Sequence, residues 1–170
     1  MALTPTPRTP KFELESYITD DSSQYMETYC VKPENLNETE LTWYCFLGDI
    51  RLKDNLVDLS TRREGLPLLN FALAMTEIAE DLRSHAKATY NFTENAEEIN
   101  FSKNGSMIQI TATYTHGTVE VPHPEFSKAA DKCLLDTYSG LTARYPGLKK
   151  NNLLSHMYNL KRLSIEEENS

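Results

Sequence analysis

A chain of 170 residues has the size of one domain and is long enough for a single hydrophobic core. With 39% apolar and 25% charged residues it is polar for a globular protein, yet it lacks the composition of a disordered one and has no run of about 18 apolar residues to cross a bilayer. A net charge of −8 opposes binding to phosphate backbones, and no stripe of Lys and Arg with interleaved aromatics reverses that, so a nucleic-acid partner is not expected.

In chain order, residues 1–10 carry Arg8 and three prolines but no apolar core of a secretory signal. They read as a flexible tail on a cytoplasmic protein. Residues 11–163 read as a single α+β domain, and residues 164–170 as an acidic, frayed end. Residues 12–18 and 25–31 alternate in part and suggest two strands, with Asp20-Asp21-Ser22-Ser23 as the turn. The best early strand is 41–53. Leu41, Trp43, Cys45 and Leu47 point one way and Thr42, Tyr44 and Phe46 the other, as in the middle of a covered sheet, with a bend at Gly48 and Asp49.

Thr61-Arg62-Arg63-Glu64 has capping-box spacing, and Pro67 suits a first helical turn. Leu68, Phe71, Ala72, Met75, Ile78, Ala79, Leu82 and Ala86 then recur at helical spacing, opposite Asn70, Glu77, Glu80, Asp81, Arg83 and Ser84. Short alternating segments follow at 88–93, 97–103, 107–115 and 118–121. Asn104-Gly105 supplies a two-residue hairpin signal whose central positions both call for positive φ. An antiparallel meander over 88–121 is the expectation. Pro124 opens a second long helix with Phe126, Ala130, Cys133, Leu134, Thr137, Tyr138 and Leu141 inward, stopped by Tyr145-Pro146-Gly147. Asn151-Asn152 opens a last short helix. The predicted fold is therefore one antiparallel sheet of six or seven strands with two long helices and one short helix packed against it.

Chemistry is harder to find. His116 and His123 lie six residues apart with Glu125 following, a spacing that fits no metal motif; a turn residue and a loop histidine are the simpler readings. Cys30, Cys45 and Cys133 are odd in number and far apart, and each has apolar neighbours, which suits reduced core residues. His85 follows Asp81 at helical spacing, a weak surface pair. Adjacent acids such as Glu97-Glu98 point to opposite faces of a strand and make no dyad. Six isolated glycines give neither a phosphate-binding loop nor a dinucleotide fingerprint. Asn37, Asn91 and Asn104 start glycosylation tripeptides that a chain outside the secretory path does not use. No cofactor, metal or catalytic residue is expected.

The run Trp43-Tyr44-Cys45-Phe46-Leu47-Gly48-Asp49-Ile50-Arg51-Leu52, then Asp58-Leu59-Ser60, the helix over 68–82, Glu97-Glu98-Ile99-Asn100-Phe101 and Arg144-Tyr145-Pro146-Gly147-Leu148 together resemble a group of small bacterial proteins. That group includes immunity proteins of polymorphic and contact-dependent toxin systems, and the resemblance covers roughly residues 40–155. It implies a cytoplasmic binder without catalytic residues that neutralises a toxin domain, often a basic nuclease, by covering its active site. Electrostatic steering suits such a task, because carboxylates reach a cleft built for phosphates. The candidate partner contacts are Asp49, Asp54 and Asp58 after the long strand, and Glu94, Glu97 and Glu98 at the opening of the meander. The competing readings are a small enzyme with a site assembled from His116, His123 and nearby acids, and an adaptor subunit.

Overall fold

The computed structural model describes residues 11–19, 21–61, 65–93 and 95–168, with backbone alone at 161 and 163–168. The N-terminal tail, Asp20, Arg62, Arg63 and Glu64 of the anticipated cap, and Glu94 lie outside the described residues. The class is α+β, but the strands form two antiparallel sheets rather than one. The first has the order β1 (Glu13–Ile18), β2 (Leu47–Lys53) and β3 (Leu66–Pro67). The second is the meander β4 (Lys87–Asn91), β5 (Glu98–Asn104), β6 (Met107–Ala112) and β7 (Val119–Pro122). Among the described residues there are also four α-helices, α1 (Ser22–Thr28), α2 (Leu68–Asp81), α3 (His123–Arg144) and α4 (Asn152–Glu168).

Two segments read as strands are helical, and each has the same cause. The Asp21 side chain accepts a hydrogen bond from the Ser23 N–H at 3.1 Å and caps α1, so residues 22–28 coil instead of extending. Asn37 and Glu40 bond reciprocally, with Asn37 N–H donating to Glu40 at 2.8 Å and Glu40 N–H donating to Asn37 Oδ1 at 3.0 Å. This is a capping box with Asn in the first place, and it starts the wide helical turn Glu40–Tyr44. Only from Leu47 does the chain extend. The alternating faces assigned to Leu41, Trp43 and Cys45 are thereby lost, and Trp43 and Tyr44 come to the surface at 39% and 56% exposure.

The end of α1 explains Cys30. Val31 N–H bonds back to Met26 O at 2.9 Å and Cys30 N–H to Glu27 O at 3.3 Å, a Schellman closure that places Cys30 at φ 54°. The thiol is exposed, not part of the core as its neighbours suggest; Cys45 and Cys133 are buried. Helix α2 starts at Leu68, later than Thr61 would place it. Pro67 gives no side-chain cap, and the Phe46 carbonyl accepts from Leu68 N–H at 3.2 Å instead.

In the meander, Ile99, Phe101, Ile108, Ile110, Val119 and Val121 form the buried face, as their alternation predicts. Asn104 pairs with Met107, so the turn residues are Gly105 and Ser106, and among them only Gly105 has positive φ, at 63°. The hairpin is thus shifted by one residue from the predicted Asn104-Gly105 turn. Helices α2 and α3 pack together and each touches both sheets. Phe126 of α3 shows why: its ring lies 6.2 Å from Phe12 before β1 and 5.5 Å from Phe101 in β5. Phe71 of α2 meets Tyr90 of β4 edge-on at 5.2 Å. Helix α4 is 17 residues long, not short, and leans on α3 and the 3-10 turn Pro146–Lys150.

Candidate functional site

The predicted contact residues divide. Asp49 sits in β2 opposite Tyr17. On the same outward face, Arg51 lies 3.7 Å from Glu13 and 3.4 Å from Glu15, and Lys53 lies 3.9 Å from Glu13. These surface pairs neutralise much of that face. Asp54 accepts from the N–H groups of Leu56 and Val57, both at 2.7 Å, and Asp58 accepts from Ser60 N–H at 2.9 Å. Both carboxylates therefore build their own loop. That loop touches the far end of the second sheet, where Tyr114 Oη donates to Leu59 O at 2.7 Å. Glu98 is joined to the same end, its N–H donating to Thr113 Oγ1 at 2.9 Å, and Glu97 N–H is held by Asn95 Oδ1 at 3.0 Å. The structure brings Asp54, Asp58, Glu97 and Glu98 to one end of the molecule, leaves Asp49 apart, and does not describe Glu94.

The histidines do not converge. His116 lies in the exposed loop before Gly117. His123 Nε2 lies 2.8 Å from Ala79 O; a carbonyl only accepts, so this nitrogen carries the proton and fastens the start of α3 to α2. Among the described residues no group of three His, Cys, Asp or Glu is placed to hold a metal ion, and no helix is long and apolar enough to cross a membrane.

Burial pushes the Cys133 thiol up to about 11, with Thr137 and Ser16 hydrogen bonds acting the other way. A thiol so held carries almost no thiolate at neutral pH. Ellman's reagent at pH 7.5 is expected to titrate Cys30 at once and Cys133 only after denaturation. Fast reaction of all three thiols in the native protein would show that Cys133 is accessible.

A different surface has the makings of a contact site. Tyr25, Tyr29 and Tyr44 cluster beside the wide turn, with ring centroids 4.6 Å apart for Tyr25 and Tyr29 and 6.2 Å for Tyr25 and Tyr44. Tyr29 is 63% exposed. Next to them opens a groove of about 400 Å³ between the wide turn, α2 and α4. Its apolar lining is Trp43, Leu73, Ala74, Met157 and Leu160. Glu38 and Glu77 are also in the wall, and among the described side chains no Lys, Arg or His lines it. A second hollow of about 40 Å³ beside Thr61 and Phe92 is only large enough for water.

Reasoning from sequence alone misses this groove for two identifiable reasons. Trp43 is assigned to a strand core because the Asn37–Glu40 cap goes unrecognised. Leu73 and Ala74 are passed over because they fall between the inner stripe of α2 and its polar face. Two apolar residues off the stripe are the signal: they widen the apolar arc beyond what one buried face requires. Comparisons with protein-family models, with curated proteins and with solved structures returned no match.

Proposed function

We propose that the chain is a binding protein that neutralises a partner protein by covering its active site, an immunity protein of the kind its sequence resembles, directed at a basic, nuclease-type toxin domain. The observation that carries this reading is the set of exposed aromatic residues Tyr29 and Tyr44, joined through Tyr25, and Trp43 beside Tyr44 in the chain, on an acidic molecule. Tyrosine and tryptophan are the residues on which protein interfaces concentrate their binding energy, because they bury large area at low rotamer cost. A net charge of −8 speeds encounter with a cationic partner and opposes polyanions. The aromatic face, rather than the loop around Asp54 and Asp58, is the preferred centre of the interface, since those two carboxylates already hold backbone N–H groups. They contribute to the field from the rim.

The test is co-expression with basic, nuclease-type toxin domains. The wild-type protein should restore growth and bind with an association rate that falls steeply with salt. Tyr29→Ala combined with Trp43→Ala should weaken binding about 30-fold, the effect of removing about 2 kcal/mol at an interface centre. Absence of protection and of binding would sink the reading. Undiminished affinity of the double variant would instead move the interface to the end carrying Glu97 and Glu98.

A further inference from the structure

The groove beside Trp43 has a shape and charge that specify more than a generic contact. Its walls are two helices and a helical turn: α2 presents Asn70, Leu73, Ala74 and Glu77, spaced i, i+3, i+4 and i+7, and α4 presents Met157 and Leu160. Such a stripe is normally covered by a third helix. Here Leu73 and Ala74 remain half-buried and Leu160 is 56% exposed. The volume of about 400 Å³ has room for a few aliphatic side chains, not for a whole domain. Glu38 and Glu77 stand on different walls, one at the foot of the wide turn and one on α2. Both are exposed, and among the described residues neither carboxylate has an ion-pair or hydrogen-bond partner.

An apolar floor between helices, flanked by carboxylates and with no cation among its described lining side chains, is complementary to one kind of ligand. We infer that the groove receives a basic amphipathic helix of the partner protein, its aliphatic face on Trp43, Leu73 and Leu160 and its Lys or Arg residues against Glu38 and Glu77. The inference rests on the binding-protein reading and names the element that would be recognised. Helix-in-groove recognition draws its affinity from anchors at i, i+3, i+4 and i+7 and its selectivity from the charges beside them. An arginine could also stack on the Trp43 indole.

Trp43 is the one tryptophan in the chain, so its fluorescence reports on this groove alone. The probe is an 18-residue helical peptide of leucine and lysine in amphipathic order, with a leucine and glutamate peptide of the same pattern as control. The lysine peptide should blue-shift Trp43 emission in a saturable, salt-sensitive manner, and the glutamate peptide should not. Glu38→Lys with Glu77→Lys should weaken the lysine peptide about 10-fold or more. The matched change Glu120→Lys with Glu125→Lys, on β7 and the first turn of α3, should weaken it less than 3-fold although it alters net charge equally. Equal losses in the two double variants would reduce the effect to bulk charge and overturn the groove. So would binding of both peptides alike, binding that leaves Trp43 emission unmoved, or a self-associated protein in which a second copy already shields Trp43. In each of these outcomes growth rescue by the wild-type chain would still stand, which separates failure of the groove from failure of the masking function.

Discussion

Gly48→Ala is expected to destabilise the protein by about 4 kcal/mol, near the upper end of single substitutions. Gly48 sits in the middle strand of the first sheet, paired with Ile18 of β1 and Leu66 of β3. A Cβ built there would lie 1.9 Å from Tyr17 O and 2.9 Å from Leu68 Cδ1. The carbonyl is backbone and cannot swing aside as a side-chain tip would. Relief requires β1 to move away from β2, and with it Leu14 and Phe12, both in the core. Urea unfolding followed by circular dichroism should show a midpoint lowered with little change in slope. Gly140→Ala is the control, since nothing lies within 4 Å of its Cβ position on the exposed side of α3. That change should stabilise by about 0.5–1 kcal/mol through helix propensity. If both substitutions proved neutral, the close approach of Tyr17 to Gly48 would be wrong.

The contrast between these glycines illustrates what a sequence discloses. Periodicity is a property of neighbouring residues, so the inner stripes of α2 and α3 and the alternation of Ile99, Phe101, Ile108 and Ile110 could be read directly. Capping is equally local, yet it was outweighed at Asp21 and at Asn37–Glu40 by aromatic residues that favour strands. Tyr25, Trp43 and Tyr44 gave a strand signal because side chains of this kind usually mark a covered sheet. Here Trp43 and Tyr44 are exposed, Tyr25 is half-buried against Tyr44, and together they form the surface on which the functional proposal stands. Division into two sheets was not legible at all, since it depends on which strands find one another around α2 and α3. The candidate site was half legible. Acidity and the lack of a catalytic pattern pointed to surface recognition, but the groove arises from the gap between α2 and α4, elements separated by 70 residues of chain between Asp81 and Asn152.

Asn151 is the residue through which that gap is held in place, and its replacement is expected to carry the second largest penalty. It is 1% exposed. Its Nδ2 donates to Pro33 O at 3.1 Å and Leu36 O at 2.9 Å, and its Oδ1 accepts from Leu154 N–H at 3.0 Å at the start of α4. One side chain thus fixes the 3-10 turn Pro33–Asn35 after α1, the 3-10 turn Pro146–Lys150 and the direction in which α4 departs. Asn151→Ala leaves the Leu154 N–H and the Leu36 carbonyl without the partners they have here, while Pro33 O keeps only its bond from Leu36 N–H, a cost of about 3 kcal/mol. Asn151→Asp separates the two functions of the side chain. It keeps the acceptor that caps α4 but sets a carboxylate against two carbonyls, which raises its folded-state pKa above the unfolded value of about 3.9. A raised acid is stabilising relative to its ionised form below the unfolded pKa, and that benefit is lost as pH rises through the folded one. Measured against Asn151→Ala, the aspartate variant should therefore be the more stable at pH 4 and lose that advantage by pH 7. Chemical denaturation at the two pH values decides it. A constant difference between the variants would mean that the amide does not donate to Pro33 and Leu36, and that the seat of α4 is set by its cap alone.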